Sequence, residues 1–306
     1  MADRFDLPDP VALAIPAFIV LLLLEIVVAR LRGHDAYELK DTAASLAMGL
    51  GNLALKIALG GMAVAASVAV YRHRLFDIGY AWWAFVLLLV AEDLAYYWFH
   101  RLSHEHRIWW AAHVNHHSSQ HYNLSTALRQ TWTGTVALTW IVWLPLAWIG
   151  FPPLMIAFQQ GISLVYQFWI HTEQIGRLPR PIEAVMNTPS HHRVHHATNP
   201  RYLDRNYAGI FIVWDRLFGT FAAEDAAEPC RYGIVRNIGS FNPIRIALHE
   251  WVALARDLKT AKGWRERLGY VFGPPGWSPD GSRQTSDQIR AAWNASQARR
   301  DTAGGR

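Results

Sequence analysis

Apolar residues form long runs in the first hundred positions of the chain. Residues 11–31 are long enough to cross a bilayer, which takes about 20 apolar residues in a helix. Residues 42–71 form a second apolar stretch that Lys56 interrupts, and it fits either one span or a broken, re-entrant pair. Residues 78–100 predict a third span. Basic residues follow the first span, so we expect that end to face the cytoplasm.

Two further apolar segments, residues 133–149 and 153–170, meet at "GFPP" and predict a helical hairpin. A hairpin returns the chain to the side that it left. His171, at its exit, should therefore lie at the same membrane surface as residues 100–121. After residue 172 no segment is long enough to cross, and residues 206–221 predict a buried or interfacial helix.

The C-terminal region has a different pattern. Residues 243–268 alternate apolar and basic positions near the helical period, which predicts an amphipathic helix lying on the membrane. The chain is polar from residue 278, and we expect disorder beyond residue 296. At the other end, "MADRFDLPDP" lacks a basic region and a small-residue cleavage site, so we expect no removable signal peptide.

Composition agrees with a membrane protein. Hydrophobic residues make up 52% and charged residues 17%, against roughly 25% charged in a typical globular domain. The formal net charge of +5 suits anionic lipid headgroups, and no nucleic-acid-binding motif is present, so we expect no nucleic-acid partner. Cys230 is the only cysteine, which excludes disulfide frameworks and cysteine-based metal sites.

Histidines supply the candidate chemistry. They occur as HxxxH, as HxxHH, as one residue after the predicted hairpin and as a second HxxHH. Residues at i, i+3 and i+4 share one face of a helix, so the imidazoles of each motif can converge on one metal ion or on two adjacent ions. The candidate ligands are His100, His104, His113, His116, His117, His171, His192, His195 and His196.

Nine imidazoles exceed the needs of one tetrahedral ion and therefore imply two metal ions. Imidazole nitrogen suits iron, zinc, copper or nickel, and the spacing does not choose among them. We expect His106, His121 and His191 to have structural or surface roles, because they lie off these faces.

Acidic residues near the motifs are candidates for supporting or catalytic roles. Asp93 lies within the third span, where an ionisable group is costly and is usually functional. Glu92 precedes it, Glu105 follows a candidate ligand directly, and Glu173 is two residues after His171. A carboxylate that accepts the far N–H of a ligand histidine fixes its tautomer. The alternative for each acid is a salt bridge with a nearby arginine.

Several motifs resemble one known superfamily. They are "HRLSH", "HVNHH" with "SSQHYNLSTALRQ", "FWIHTE" and "TPSHHRVHHATNPRYLDRNYAGIFIVWDRLFGTF". In this order they resemble the sterol desaturase/fatty acid hydroxylase superfamily, and most closely its alkylglycerol monooxygenase-like branch. The resemblance covers residues 93–221. It implies a membrane-bound, O₂-dependent enzyme with two iron ions that hydroxylates an aliphatic C–H bond of a lipid.

The resemblance assigns the nine histidines as iron ligands, and Glu105 matches a glutamate needed for activity in that branch. The chain departs from the family at Gln120 and His121, where acids are usual. That departure puts the source of electrons in doubt: a pterin, a ferredoxin or a cytochrome b5-type donor would have to bind at the cytoplasmic face. A basic surface could receive an acidic donor there, formed by Arg101, Arg107, Arg193, Arg201 and Arg205.

The sequence therefore predicts an all-α fold, an integral membrane bundle of four to five spans with a cytoplasmic, histidine-rich di-metal cap, in a bacterial inner membrane. Residues 1–77 would supply N-terminal spans, residues 78–225 a fatty acid hydroxylase-like catalytic domain, and residues 226–306 the amphipathic helix and tail. A lipid desaturase would use the same metals. A zinc-dependent lipid hydrolase or a metal transporter would leave histidines idle or place them along a membrane path.

Overall fold

A computed structural model describes residues 7–304. Within this range the chain is helical and contains no β-strand. The helices are α1 (Pro10–Leu31), α2 (Leu39–Leu59), α3 (Gly61–Tyr71), α4 (Trp82–Glu105), α5 (Arg107–His117), α6 (Leu144–Ile149), α7 (Pro153–Trp169), α8 (Arg180–Val185), α9 (Pro189–His195), α10 (Val213–Leu217), α11 (Pro243–Thr260), α12 (Trp264–Phe272) and α13 (Ser286–Gly304). The all-α expectation is confirmed.

Three of the described helices, α1, α2 and α4, are long and apolar enough to cross a membrane. The second apolar stretch breaks at Gly60, so α2 is a candidate span by itself and α3 is a short continuation. The hairpin is less regular than expected. Its second leg is α7, with 17 residues, and its first leg is a 3₁₀ turn that leads into α6. The count of four to five spans stays a prediction.

Helices α1 and α7 run parallel and bring the exits of two apolar segments together. Phe18 stacks on Phe168 with 4.0 Å between ring centroids. Further along α1, the buried carboxylate of Glu25 accepts hydrogen bonds from Leu124 N (2.8 Å) and from the Tyr37 and Thr172 hydroxyls. A carboxylate buried in this way needs several donors to offset its lost hydration. The loop after α7, which carries His171, is thereby held against α1.

An apolar cluster fixes α4 against α6 and α7. Leu88, Leu146, Phe151 and Met155 are buried together in it. Complete burial of such a side chain contributes about 1.5–3 kcal/mol. The packing sets the height of α4 and so positions its C-terminal end, where His100 and His104 lie.

The segment from 206 to 221 is mostly irregular, and only α10 within it is helical. The prediction of a helix there was wrong. Two buried carboxylates bind its backbone amides instead: Asp93 accepts from Ile210 N (2.6 Å) and Phe211 N (3.0 Å), and Asp215 accepts from Tyr207 N (2.8 Å). Backbone groups satisfied by side chains have no need of a helix.

The C-terminal region packs against α5 through α11 and α12. One helix was expected over residues 243–268, but the structure divides this range between α11, which ends at Thr260, and α12, which begins at Trp264. Ile246 and Ala247 of α11 pack against Ala44 and Met48 of α2, so this part of the helix contacts protein. Arg107, at the start of α5, donates to Glu250 (2.7 Å) and Asp257 (2.6 Å) of α11. The tail expected to be disordered beyond residue 296 is helical as far as Gly304.

Candidate metal centre

The nine candidate histidines come together as two adjacent clusters. The five-histidine cluster is formed by His100, His104, His113, His117 and His195. The four-histidine cluster is formed by His116, His171, His192 and His196. In each cluster the potential ligand atoms all lie within 4.8 Å of one another. Seven of the side chains are buried, and His113 and His116 are partly exposed.

The helical period divides both HxxHH motifs between the clusters. On α5, His113 and His117 belong to the five-histidine cluster, whereas His116 belongs to the other. The second motif has the reverse division, because His195 joins the five-histidine cluster and its neighbours join the four-histidine cluster. The clusters are in direct contact, since the rings of His117 and His196 stack with centroids 4.4 Å apart. The structure thus divides the imidazoles of each HxxHH motif between two adjacent clusters.

Hydrogen bonds to Nδ1 orient the rings of the five-histidine cluster. His100 Nδ1 lies 2.8 Å from Tyr207 O, and His195 Nδ1 lies 2.9 Å from Arg205 O. A carbonyl oxygen only accepts, so each Nδ1 carries the proton and each Nε2 presents a free lone pair. His104 Nδ1 lies 3.1 Å from a carboxylate oxygen of Asp204, which has the same effect.

The four-histidine cluster is oriented in the same way. His171 Nδ1 lies 2.7 Å from Gln167 O, and His116 Nδ1 lies 3.3 Å from Arg129 O. Their Nε2 atoms, both without a proton in this tautomer, face each other at 3.3 Å. Two lone pairs so close repel each other unless a cation lies between or beside them.

These contacts test whether the residues fit metal ions. His104 Nε2 and His195 Nε2 are buried without a hydrogen-bond partner among the described residues, which is costly for a polar atom. Other pairs of Nε2 atoms converge, as in His100 and His113 (3.0 Å) and His171 and His192 (3.0 Å). Imidazole nitrogens aimed at common points are a donor set for iron, zinc, copper or nickel. The nine residues therefore fit two such ions.

The protonation of the clusters also suits metal binding. Burial lowers the pKa of His116 to about 4. Burial, with repulsion among neighbouring imidazoles, holds the pKa of other cluster histidines outside α4 well below its ordinary value; these are His113, His117, His171, His192, His195 and His196. They are neutral at pH 7, as a metal ligand must be.

The structure does not bring the three candidate acids onto the histidines. Asp93 binds the backbone of residues 210 and 211 and the Trp214 indole (2.9 Å). Glu173 accepts from the Tyr232 hydroxyl (2.9 Å). Glu105 accepts from Arg101 (2.8 Å), but it also lines a cavity of about 240 Å³ together with His104. None of the three hydrogen-bonds to a cluster histidine in the described part of the chain.

Asp204 is the acid that contacts a cluster histidine, and sequence reasoning missed it. Its backbone is in the left-handed region (φ 54°), which for a residue other than glycine indicates a position fixed by its surroundings. The only signal in the sequence is its place in "NPRYLDRN", shortly after the last histidine motif. Nothing in the spacing shows that this loop folds back onto His104.

The remaining histidines named in the sequence lie outside both clusters. His106 Nδ1 is 2.6 Å from Phe272 O, and His191 Nε2 is 2.9 Å from a carboxylate oxygen of Glu183. The backbone of His121 donates to Ser119 Oγ (3.1 Å) and accepts from the Ser119 (2.7 Å) and Thr126 (3.0 Å) hydroxyls. Gln120 accepts from Asn237 Nδ2 (3.2 Å), so it holds the loop of residues 233–238.

The expected basic surface is largely neutralised by acids of the same chain. Arg193 pairs with Glu224 (2.8 Å), Arg201 with Asp225 (2.5 Å), and Arg107 and Arg101 with the acids named above. Arg205 donates to Gly219 O (3.0 Å). These residues hold the fold together rather than forming a free docking surface.

A cavity of about 1000 Å³ opens above the clusters. Four cluster histidines form its floor, namely His104, His117, His195 and His196. Its walls come from α5, α11, the start of α13 and the loops at residues 233–238 and 275–284. His113 and His116, the two partly exposed residues of the clusters, do not line it.

Comparison with known proteins agrees with this site. Residues 85–220 match the fatty acid hydroxylase family, a range that includes all nine histidines. The chain is 39% identical to the alkylglycerol monooxygenase of Homo sapiens over 277 residues, and 34% identical to that of Caenorhabditis elegans over 288 residues. It is 27% identical over 136 residues to an ornithine lipid hydroxylase of Rhizobium tropici.

Each of the two alkylglycerol monooxygenase matches covers 90% of this chain, but the chain spans only 61% of the human and 56% of the nematode protein. The match to the ornithine lipid hydroxylase covers 44% of this chain and 41% of that protein. No solved structure matches the chain.

The fold and the site together define a class of protein: a helical membrane protein with two histidine clusters at the end of a candidate span. The comparisons confirm the superfamily inferred from the motifs, and residues 85–220 form a domain of the fatty acid hydroxylase family.

Proposed function

We propose that this protein is a membrane-bound, di-iron monooxygenase that hydroxylates an aliphatic C–H bond of a lipid. The observation that carries the proposal is the division of nine imidazoles into two touching clusters with converging Nε2 atoms. A zinc hydrolase needs only one ion with three or four ligands, which would leave the second cluster without a role. A transporter would need ligands along a membrane path rather than at one end of α4.

The net reaction consumes one O₂, two electrons and two protons, and it yields one hydroxylated lipid and one water. When bound, two iron ions supply the activation of O₂ and the oxidation of the C–H bond. The electrons must come from a separate donor, of the reduced pterin, ferredoxin or cytochrome b5 class. The 306-residue sequence contains no motif for a haem, flavin or iron–sulfur group.

The residues around the clusters would orient the metals and the substrate. Tyr207 O, Arg205 O and Asp204 fix the rings of three ligands, so these Nε2 atoms are aimed before metal arrives. Phe99 lies between His113 (6.4 Å) and Trp143 (5.1 Å) on the side of the apolar bundle. None of these residues lines the large cavity, and we propose that the lipid chain reaches the partly exposed His113 and His116 from the side of Phe99.

The substrate class that we propose is an ether lipid of the alkylglycerol type. The alkylglycerol monooxygenases match over far more of this chain than the ornithine lipid hydroxylase does. We place the clusters on the cytoplasmic side of a bacterial inner membrane, because Arg30, in the last turn of α1, and Arg32, directly after it, lie at the end where the loop of His171 packs.

Mössbauer spectroscopy and metal analysis on detergent-purified protein, grown with ⁵⁷Fe, test the proposal. We expect about two irons per chain in a coupled di-iron signal. Incubation with an alkylglycerol, ¹⁸O₂ and a reductant should then give a product carrying one ¹⁸O. Zinc alone, with no activity after reconstitution with iron, would overturn the proposal. Loss of two hydrogens without ¹⁸O in the lipid would indicate desaturation.

A further inference from the structure

The large cavity above the clusters reaches down to candidate metal ligands of the five-histidine cluster. His104 and His195 both line it, and the Nε2 atom of each is buried and unpaired in the described part of the chain. A volume of about 1000 Å³ is at the upper end of the range for small-molecule sites. The cavity is therefore large enough for an elongated small molecule that reaches the five-histidine cluster.

The charges around this cavity are unbalanced. Two lining arginines are neutralised: Arg107 by Glu250 and Asp257, and Arg283 by Asp257 at 2.6 Å. The third lining acid, Asp204, is engaged with His104.

Three further arginines line the cavity with no ion pair or side-chain hydrogen bond among residues 7–304. They are Arg236, Arg245 and Arg256, and all three are exposed. A concave surface with unpaired charges of one sign attracts ligands of the opposite sign.

The position of the arginines indicates the shape and source of the ligand. Arg245 and Arg256 are both on α11, and a rise of 1.5 Å per residue places their Cα atoms about 16 Å apart. They would contact separate parts of one molecule. Apart from His104, at the end of α4, the lining residues lie outside the three candidate spans. The cavity thus opens away from the apolar bundle, toward water.

We propose that this cavity binds a small, water-soluble, elongated molecule that carries more than one anionic group of the phosphate-ester class. Arg236, Arg245 and Arg256 hold its anionic groups, and its body extends toward His104 and His195. This is a second binding site, distinct from the lipid access on the side of Phe99.

Isothermal titration of the full-length, metal-loaded protein with fructose 1,6-bisphosphate tests the site. We chose this probe because it is elongated and has a phosphate at each end. Single substitutions Arg236→Gln, Arg245→Gln and Arg256→Gln should each weaken binding about tenfold, as expected for the loss of one charge-assisted hydrogen bond. Lys259→Gln is the matched control, because Lys259 is exposed on the same helix but does not line the cavity. It should leave affinity unchanged.

A parallel titration with nanodiscs that contain phosphatidate separates a soluble ligand from a lipid headgroup. Binding to these nanodiscs with none to the soluble probe would overturn the proposal. So would equal affinity in the triple Arg→Gln variant and in Lys259→Gln. Lipid hydroxylation is assayed in the same preparations. Hydroxylation without anion binding would contradict only the proposed anion site. Anion binding without hydroxylation would contradict only the proposed function.

Discussion

Individual side chains determine which nitrogen of each imidazole is available. In five of the nine cluster histidines, Nδ1 faces an oxygen atom of the protein, and four of those oxygens are backbone carbonyls. The exception is Asp204, which supports His104 through a side chain and can therefore be altered by substitution. Supporting hydrogen bonds of this type raise ligand basicity and fix ring orientation.

Replacement of Asp204 should weaken metal binding at the five-histidine cluster only. In Asp204→Ala, His104 loses its hydrogen-bond acceptor, and we expect at least about a tenfold loss of affinity for one of two metal ions. Asp204→Asn keeps an acceptor oxygen and should retain most of the metal affinity. Competition titration with a metal chelator gives both affinities. An Asp204→Ala variant that binds both ions as tightly as the parent would show that the contact has no supporting role.

Removal of a ligand from either cluster should abolish turnover. His116→Ala affects the four-histidine cluster and His195→Ala the five-histidine cluster, and in each case we expect fewer than two irons per chain. Both residues lie outside the candidate spans, so membrane insertion should be normal. His73→Ala, at an exposed position away from both clusters, is the control and should be silent. Near-normal activity in either ligand variant would contradict the di-iron assignment.

At the scale of elements, the segment from 204 to 211 links a membrane span to the metal site. Three of its residues orient His100, His104 and His195. Asp93 lies on α4, before His100 and His104 in the same helix, and it binds the backbone of the same segment at residues 210 and 211. The sequence left Asp93 as a candidate either for supporting a ligand histidine or for a salt bridge, and the structure shows neither contact among the described residues. Asp93 is instead placed to position ligands through the segment.

Asp93→Ala should therefore loosen the five-histidine cluster more than the four-histidine cluster. The change leaves two backbone amides and the Trp214 indole without an acceptor in a buried site, which costs about 1–3 kcal/mol for each unsatisfied group. We expect a lower thermal midpoint in detergent and preferential loss of one iron. Thermal unfolding with metal analysis measures both. Equal loss of both irons would indicate general destabilisation rather than positioning.

The elements also show what local sequence can reveal. The spacing of histidines on α4, α5 and α9 follows from the helical period, and the predicted hairpin places His171 at the same surface, so all nine cluster members could be found without the structure. The segment from 206 to 221 is as apolar as many helices. Its conformation depends on carboxylates from residues 93 and 215, and the first of these is more than a hundred positions away. No local pattern contains that information.

At the scale of the whole molecule, the apolar pattern predicted α1, α2 and α4, because long apolar runs have few alternatives to spanning helices. The C-terminal region was harder to predict. Its amphipathic pattern fits a membrane surface and a protein surface equally well, and it does not reveal the ion pair of Arg107 with Asp257 that joins α11 to α5. The large cavity results from this docking, so it too was hidden from the sequence.

The concentration of buried imidazoles makes the metal-free protein sensitive to acid. Burial lowers the pKa of cluster histidines such as His116, whose pKa falls to about 4, whereas an unfolded chain has histidines near 6.5. Between these values the unfolded state binds more protons than the native state, so stability falls as the pH falls. Each histidine contributes up to about 1.4 kcal/mol per pH unit in this window.

We therefore expect the thermal midpoint of the metal-free protein to drop between pH 7.5 and pH 5.5, since several histidines act together. Bound metal competes with protons for the same nitrogen atoms, so the metal-loaded protein should hold its midpoint to a lower pH and then lose metal and stability in one step. Scanning calorimetry in detergent across this range, with metal content measured at each pH, tests both parts. A metal-free midpoint that is constant with pH would mean that the histidines are not held neutral by the fold.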